Sequence, residues 1–247
     1  MRFWTETGIM LRRELKSYFQ SPIAYVFLVG FLLLVGFLTF MVGGFFEMGQ
    51  ADLRFFFFWH PWVYLLLVPA ASMRLWAEER KSGTIELLLT LPVTLPQALA
   101  AKFLAAWLFL ILALALTSPI VFTGLYLGHP DLGAIVAGYV GSALLAGAYL
   151  SVGLFASALT RNQVISFVVA LLICLFLLLA GWPPVVSMFN RWAPDWLVRT
   201  VAAFGVMPYF ESATRGVLDI RDIAYFLSVM VVLLLATHWT VENRKGS

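Results

Sequence analysis

Apolar residues in this chain run in long unbroken stretches, not in the periodic stripes of a soluble helix. A bilayer core of about 30 Å takes roughly 20 apolar residues in helical form. Six stretches reach that length: Ile23–Phe46, Phe55–Met73, Phe103–Leu127, Leu132–Leu159, Val164–Trp182 and Ile223–Val241. The pattern predicts an all-α, polytopic membrane protein with six transmembrane helices. Pro61 and Pro69 fall inside the second stretch, where neighbouring helices can re-satisfy the freed carbonyls, so a kink is expected and not a break. The fourth stretch carries two small-residue stripes, Gly138, Ser142, Ala146 and Ala143, Gly147, Ser151. Such spacing lets helix backbones approach closely, and tight packing within the bundle is its expected use.

Three segments depart from this pattern. In Arg2–Gln20 one helical face gathers Trp4, Leu11, Leu15, Tyr18 and Phe19, and the other Arg2, Glu6, Arg12, Arg13 and Lys16; Ile9 and Glu14 fall on the wrong sides. A basic amphipathic helix just before a span lies in the membrane interface, and Ser21-Pro22 marks the turn into the first span. In the connection Arg74–Lys102, charges carry the second span out of the membrane and Gly83 ends it. Thr84 then caps a short apolar helix, Ile85–Leu91, stopped by Pro92. Leucines exposed between charged flanks call for a protein partner, the alternative being that the helix folds back against the bilayer. The third segment, Pro183–Arg221, is too long for a turn and too apolar for a disordered loop. Its periodicity, with Trp192, Trp196 and Phe204 prominent and with breaks at Pro194 and Pro208, predicts short re-entrant helices at the outer face. Irregular backbone can dip into a membrane only when packed against protein. These helices would gate, recruit or scaffold.

Composition and charge sharpen the picture. Hydrophobic residues make up 62% of the 247 and charged residues 12%, far too few to solvate a globular surface. The net charge of +3 serves topology and not nucleic-acid binding. Arg2, Arg12, Arg13, Lys16, Arg74, Arg80, Lys81, Lys102, Arg161, Arg244 and Lys245 fall in one set of loops. Only Arg54, Arg191, Arg199, Arg215 and Arg221 fall in the other. The excess places both termini in the cytoplasm. The charged first twenty residues are not expected to be a cleaved signal peptide, and residues 1–247 read as a single membrane domain. Cys174 is the only cysteine, which excludes an intrachain disulfide and a thiolate cluster.

Away from their ends the six stretches hold no Asp, Glu, Lys or Arg. This argues against a proton-coupled carrier and against a channel with a charged filter. His60, His129 and His238 stand apart near different span ends, so each is expected to be an interfacial hydrogen-bonding residue and not a metal ligand. There is no G-x-x-x-x-G-K-[ST] and no catalytic constellation. No catalytic, cofactor or metal residue is assigned. If ATP drives this protein, another subunit binds it.

The run Glu79-x3-Gly83-Thr84-x-Glu86-x-Leu88-Leu89-x2-Pro92 resembles the signature element of ABC-2 type permeases, the membrane subunits of one class of ATP-binding-cassette exporters. The surroundings are similar too: the amphipathic helix with Arg13-Glu14, Ser21-Pro22, six spans and a long outer segment before the last. Three stretches resemble most the gliding-motility (Gld-type) permeases. They are Ala77–Pro92, Leu159-Thr160-x-Asn162-Gln163 and Phe210-Glu211-Ser212-x2-Arg215-Gly216-Val217.

The resemblance implies a division of labour. Gly83, Thr84, Ile85, Glu86, Leu87, Leu88 and Leu89 would form a coupling helix docked in a groove of a separate ATPase, a helix-in-groove contact, with Glu79 and Glu86 flanking the joint. The N-terminal helix, residues 1–22 with Trp4, Leu11, Arg12, Arg13 and Leu15, would be the connecting helix. Residues 74–102 form the coupling loop and residues 183–221 the outer segment. Expected partners are a cytoplasmic ATPase dimer, which binds ATP and Mg, a second permease chain, identical or related, and the bilayer of a bacterial cytoplasmic membrane. The implied function is export, and the uncharged spans suit a lipidic, glycan or bulky cargo. The alternative is mechanotransmission, in which ATP-driven motion passes to a periplasmic partner through residues 183–221 without transport.

Overall fold

The computed structural model describes residues 2–47, 52–83 and 94–243, with side chains from residue 6 onward, Ile23 excepted. Every regular element among the described residues is a helix. Six are long and apolar enough to cross a membrane: Ala24–Val42, Arg54–Ser82, Leu95–Leu127, Leu132–Leu159, Gln163–Ala180 and Ile220–Asn243. They overlay the six apolar stretches, and the all-α, six-span reading is borne out.

In chain order, α1 (Arg2–Gln20) precedes α2 (Pro22–Phe37), which continues as a π-helical stretch, Leu38–Val42. The second span is built from α3 (Arg54–Phe58), α4 (His60–Ser72) and α5 (Ala77–Ser82), and the third from α6 (Leu95–Ala115) and α7 (Ser118–Leu127). Single helices make the fourth span, α8 (Leu132–Leu159), and the fifth, α9 (Gln163–Ala180). Three short helices follow, α10 (Pro183–Phe189), α11 (Asp195–Ala203) and α12 (Met207–Thr214), before the last span, α13 (Ile220–Asn243).

Local chemistry sets the boundaries. Asp131 Oδ1 accepts from the Gly133 and Ala134 amides at 2.8 and 3.3 Å, and Asn162 Oδ1 from Val164 at 2.9 Å, the side-chain caps that start α8 and α9. The second span kinks at Trp59, whose backbone stays right-handed helical and whose carbonyl accepts from Val63 at 3.0 Å, so the path continues past Pro61. Pro69 is absorbed inside α4. Two interruptions were not expected from the sequence. One is a turn at Met73–Trp76. The other lies at Leu116–Thr117, ahead of Pro119, where Thr117 donates to the Leu114 carbonyl at 2.6 Å and shares a 2.9 Å bond with the Tyr139 hydroxyl. The third-span helix also starts at Leu95, earlier than the expected Phe103, and so takes in Lys102.

The bundle is organised around α8, which packs against α4, α6, α9, α12 and α13. Where a partner crosses, α8 presents a small residue. A Cβ on Gly138 would stand 2.6 Å from the Phe57 ring, and one on Gly141 would stand 2.6 Å from Ala213 Cβ. One on Gly147 would meet the Met230 methyl at 2.5 Å, and one on Gly153 would collide with Ser72 Oγ. The two small-residue stripes therefore serve packing within the bundle, as expected. Four buried hydroxyls bond to the preceding turn: Thr39 to Val35, Ser72 to Val68, Ser151 to Ala148 and Thr237 to Leu233. His60 is not the interfacial residue expected. It is fully buried among Phe31, Phe56, Phe57 and Tyr64, with Nδ1 3.0 Å from the Phe56 carbonyl, because it continues the buried stripe Phe56, Tyr64 and Val68 at four-residue spacing.

At the end of the bundle remote from α5, α12 is anchored and α10–α11 are not. Phe210 and Ala213 are buried against α8, and the Val206 amide donates to Leu177 at 2.9 Å, where Gly205 and Gly181 touch backbone to backbone. Trp192, Trp196 and Phe204 are instead 70%, 69% and 59% exposed. Pro194 precedes α11 and Pro208 sits in the first turn of α12, so both prolines start helices.

The crossing contacts generate a paired expectation. Gly153→Ala should lower stability by about 1–3 kcal/mol, because Ser72 must give way. Gly36→Ala, with nothing within 4 Å of the new methyl, should be neutral or gain up to about 1 kcal/mol. Thermal unfolding in detergent, followed by tryptophan fluorescence, checks both; equal melting points would show that α8 is loosely packed at that crossing.

Candidate functional site

The second span does not end as a simple helix. Its chain turns at Met73–Trp76 and restarts as the short arm α5. A turn inside a packed bundle exposes amides and a carbonyl that need partners. Ser157, near the end of α8, supplies them. Its Oγ accepts from the Trp76 and Ala77 amides, both at 3.0 Å, and donates to the Met73 carbonyl at 2.9 Å. One hydroxyl has one proton and two lone pairs, so the side chain is fully used. Trp76 and Ala77 are completely buried at this junction.

The arm is itself well formed. Glu78 and Glu79 occupy its first turn and Arg80 and Lys81 its last, the arrangement favoured by the helix dipole. Arg80 Nη1 reaches across to the Ala158 carbonyl at 2.5 Å, a second tie to α8. Gly83 ends the arm with φ +72°, a left-handed cap that glycine adopts without a Cβ penalty. The expected termination at Gly83 is what the structure shows.

A buried cation joins the arm to two other helices. Lys102 of α6 is 3% exposed, with its Nζ 2.6 Å from Glu79 Oε1 and 3.7 Å from Glu14 Oε2. The ammonium lies 5.4 Å from the Trp76 ring centroid, within cation–π range. Arg13 pairs with Glu14 at 2.9 Å, so two cations and two carboxylates balance. Arg74 Nη1 makes a long contact, 3.4 Å, to Ser21 Oγ between the spans. These groups line a polar cleft of about 350 Å3 between α1 and α5 that also includes Tyr18 and Ser82. A polar cleft of this size can admit water, which would weaken ion pairs that are otherwise strong at low dielectric. Burial pushes the Tyr18 phenol above its ordinary value, against a smaller pull downward from Arg74, and keeps it neutral.

The structure seats α1 along α6. Gln97 Nε2 donates to Glu6 Oε2 at 3.0 Å, and Tyr18 stacks on Phe109 at 5.1 Å. The packed face runs through Thr7, Met10, Glu14 and Tyr18, with Leu11 and Leu15 half-buried beside it. Glu14, on the wrong side by the amphipathic reading, is on the packed face because Lys102 waits there. Ile9 is exposed, as are Arg12 and Arg13. Trp4 lies within the α1 backbone.

Of the expected coupling residues, Glu79 and Gly83 belong to this joint. Thr84, Ile85, Glu86, Leu87, Leu88 and Leu89 lie outside the described residues. Trp192, Trp196 and Phe204 sit at the opposite end of the bundle. Lys102, Glu14, Trp76 and Ser157 were missed as a group. Lys102 had been placed in a loop, although a lysine and a glutamate each out of place on an apolar helix face is itself a signal of pairing. Among the described residues no group of three or more His, Cys, Asp or Glu is placed to hold a metal ion.

Comparison with known sequences agrees with this geometry. No curated protein matches the chain. A family model described as "ABC-2 family transporter protein" matches residues 65–195, more than half of the 247, spanning the arm, the Lys102 helix and all of α8 and α9. The chain therefore belongs to the ABC-2 family of transporter proteins, as a multi-pass membrane component.

Proposed function

We propose that this chain is the permease subunit of an ABC-2 exporter in a bacterial cytoplasmic membrane and receives motion from a separate ATPase through Gly83–Leu89. The observation that carries this reading is the joint before Gly83. A short arm, tied to α8 by Ser157 and the Ala158 carbonyl and to α6 and α1 by Lys102, leads directly into the apolar run Ile85–Leu91. A docking helix at the end of a floppy loop could transmit little. One at the end of a clasped arm moves three helices together. Glu79 holds the arm, while the leucines beyond Gly83 supply the groove contact.

The rest of the proposal follows from the family. The ATPase subunits bind ATP and Mg. Two permease chains, identical or related, pair to enclose a path, with both termini cytoplasmic. Within the family, Ala77–Pro92, Leu159–Gln163 and Phe210–Val217 support an assignment to the gliding-motility (Gld-type) permeases. The apolar spans favour a lipidic, glycan or bulky cargo.

Affinity purification of the full chain in mild detergent tests the joint. A P-loop ATPase should co-purify, and Leu87→Asp with Leu88→Asp should reduce its recovery at least tenfold. Recovery of the chain alone in several detergents would overturn the reading.

The ion cluster gives a second expectation. Lys102→Ala leaves two carboxylates facing each other and should cost about 3–5 kcal/mol, less where water in the cleft screens them. A Glu14→Gln, Glu79→Gln, Lys102→Met triple variant should regain most of that in thermal melts. The same variant should lose permease-stimulated ATP hydrolysis, since the arm is no longer held to α1 and α6. Full stimulation in the triple variant would show that the cluster is structural only.

A further inference from the structure

Between α9 and the loosely held helices α10 and α11 lies a cavity of about 440 Å3 whose lining is aliphatic and aromatic, the Trp192 indole being its one side chain with a polar atom. Leu172 and Phe176 of α9 form one wall, Val186 and Phe189 of α10 the second, and Leu197 and Val201 of α11 the third. An apolar cavity of this size does not hold water stably, and leaving it empty forfeits the contacts of its lining. Something apolar fills it.

Two features identify the occupant. The first is the character of α9. Its buried face carries Ser166, Ala170 and Cys174, the small residues that helix–helix contacts use. Its exposed face carries Val164, Ile165, Val168, Leu172 and Phe176, all large, with neither a small residue nor a polar one. That is the face of a helix turned to lipid, and the cavity opens on it. The second is α11, whose apolar side (Leu197, Val198, Val201) covers the cavity while its other side carries Asp195, Trp196, Arg199 and Thr200. An amphipathic helix with a tryptophan and a cation on its outer side is built to lie at headgroup level. Arg191 and Arg199 flank the cavity in sequence, and among the described residues neither pairs with a carboxylate. An apolar slot beneath a headgroup-level helix, in a segment that carries Arg191 and Arg199, matches an acyl chain below and a phosphate above.

We infer that this cavity is a resident phospholipid site, in which one acyl chain of a bilayer lipid wedges between α9 and α10–α11 and props the two short helices away from the span. The inference rests on membrane embedding alone and stands whether or not the Gly83 joint couples to an ATPase. It also explains how α10 and α11 hold position with few protein contacts of their own.

Native mass spectrometry of the full chain, released from mild detergent after a delipidating wash, reads the site directly. The wild-type chain should retain one phospholipid mass per chain. Filling the slot with Val186→Trp and Val201→Trp should lower that retention at least fivefold, and the smaller change Val201→Phe should lower it by an intermediate amount. Val232→Trp, on the exposed face of α13, should leave it unchanged. Equal retention in wild-type and filled chains, at matched thermal stability, would overturn the site. If the double variant fails to fold, the Val201→Phe result decides alone, and undiminished retention there overturns it. A Leu197→Cys disulfide between two chains in native membranes, in a Cys174→Ala background, would assign the slot to a second copy and also overturn it.

Discussion

Helices in a bilayer gain little from hiding apolar surface, because lipid tails are as apolar as leucine; they associate through close packing and a few polar bonds. The structure depends on this constraint at α8. Glycines occupy its crossings with α3, α4, α12 and α13, so side chains of those helices (Phe57, Ser72, Ala213 and Met230) seat directly on its surface where a Cβ would stand. Large side chains fill the space between helices, as with Phe31, Tyr64, Phe109 and Tyr149, and others face outward on α2, α9 and α13, where Leu33, Phe176 and Val232 are exposed. The same helix ends in Ser157 and Ala158, which hold the turn and arm of the second span. The helix that sets the bundle's dimensions thus also fixes the position of the α5 arm.

The polar groups divide by depth. Along the spans most bonded hydroxyls turn back to their own preceding turn, as with Thr39, Ser72 and Thr237, and few polar bonds cross between helices, among them Thr117 to Tyr139 and the Trp107 indole to the Ala143 carbonyl. At the ends the polar bonds join different elements: Ser157 to the Met73–Ala77 turn, Lys102 to Glu79 and Glu14, Gln97 to Glu6. Adhesion along the bundle is therefore shape-based, and connection at the α5 end is chemical. A joint made of a few specific bonds can shift between arrangements more readily than an interdigitated core.

The six spans were legible because each is a run of about the length a bilayer demands, and Gly83 because only a residue tolerant of positive φ closes the arm without strain. The interruptions at Met73–Trp76 and Leu116–Thr117 were not. Neither carries a proline at the turn itself, and the first exists because Ser157, some eighty positions away, satisfies its amides. Lys102 was misplaced for a related reason. A lysine ahead of an apolar run reads as a loop cation, and only the three-dimensional approach of Glu14 and Glu79 makes it tolerable inside a helix. His60 was misread because its nearness to a span end was weighed above its four-residue spacing from Phe56 and Tyr64, which places it on the buried stripe. The short helices after α9 were anticipated from periodicity, whereas the apolar cavity beneath two of them arises from their standing off the span, which periodicity does not encode.

The three bonds at Ser157 also govern the direction in which displacement spreads. The arm α5 continues the second span in sequence, yet its turn is fastened to the fourth. Its fulcrum therefore lies on the central shaft and not on the rod from which it grows. A torque applied beyond Gly83 acts first on the helix that touches most of the others and only then on α4, across a turn that can flex. The bundle would answer as a set of rods tilting about a common axle, and a small stroke at one end would become a change of splay at the other.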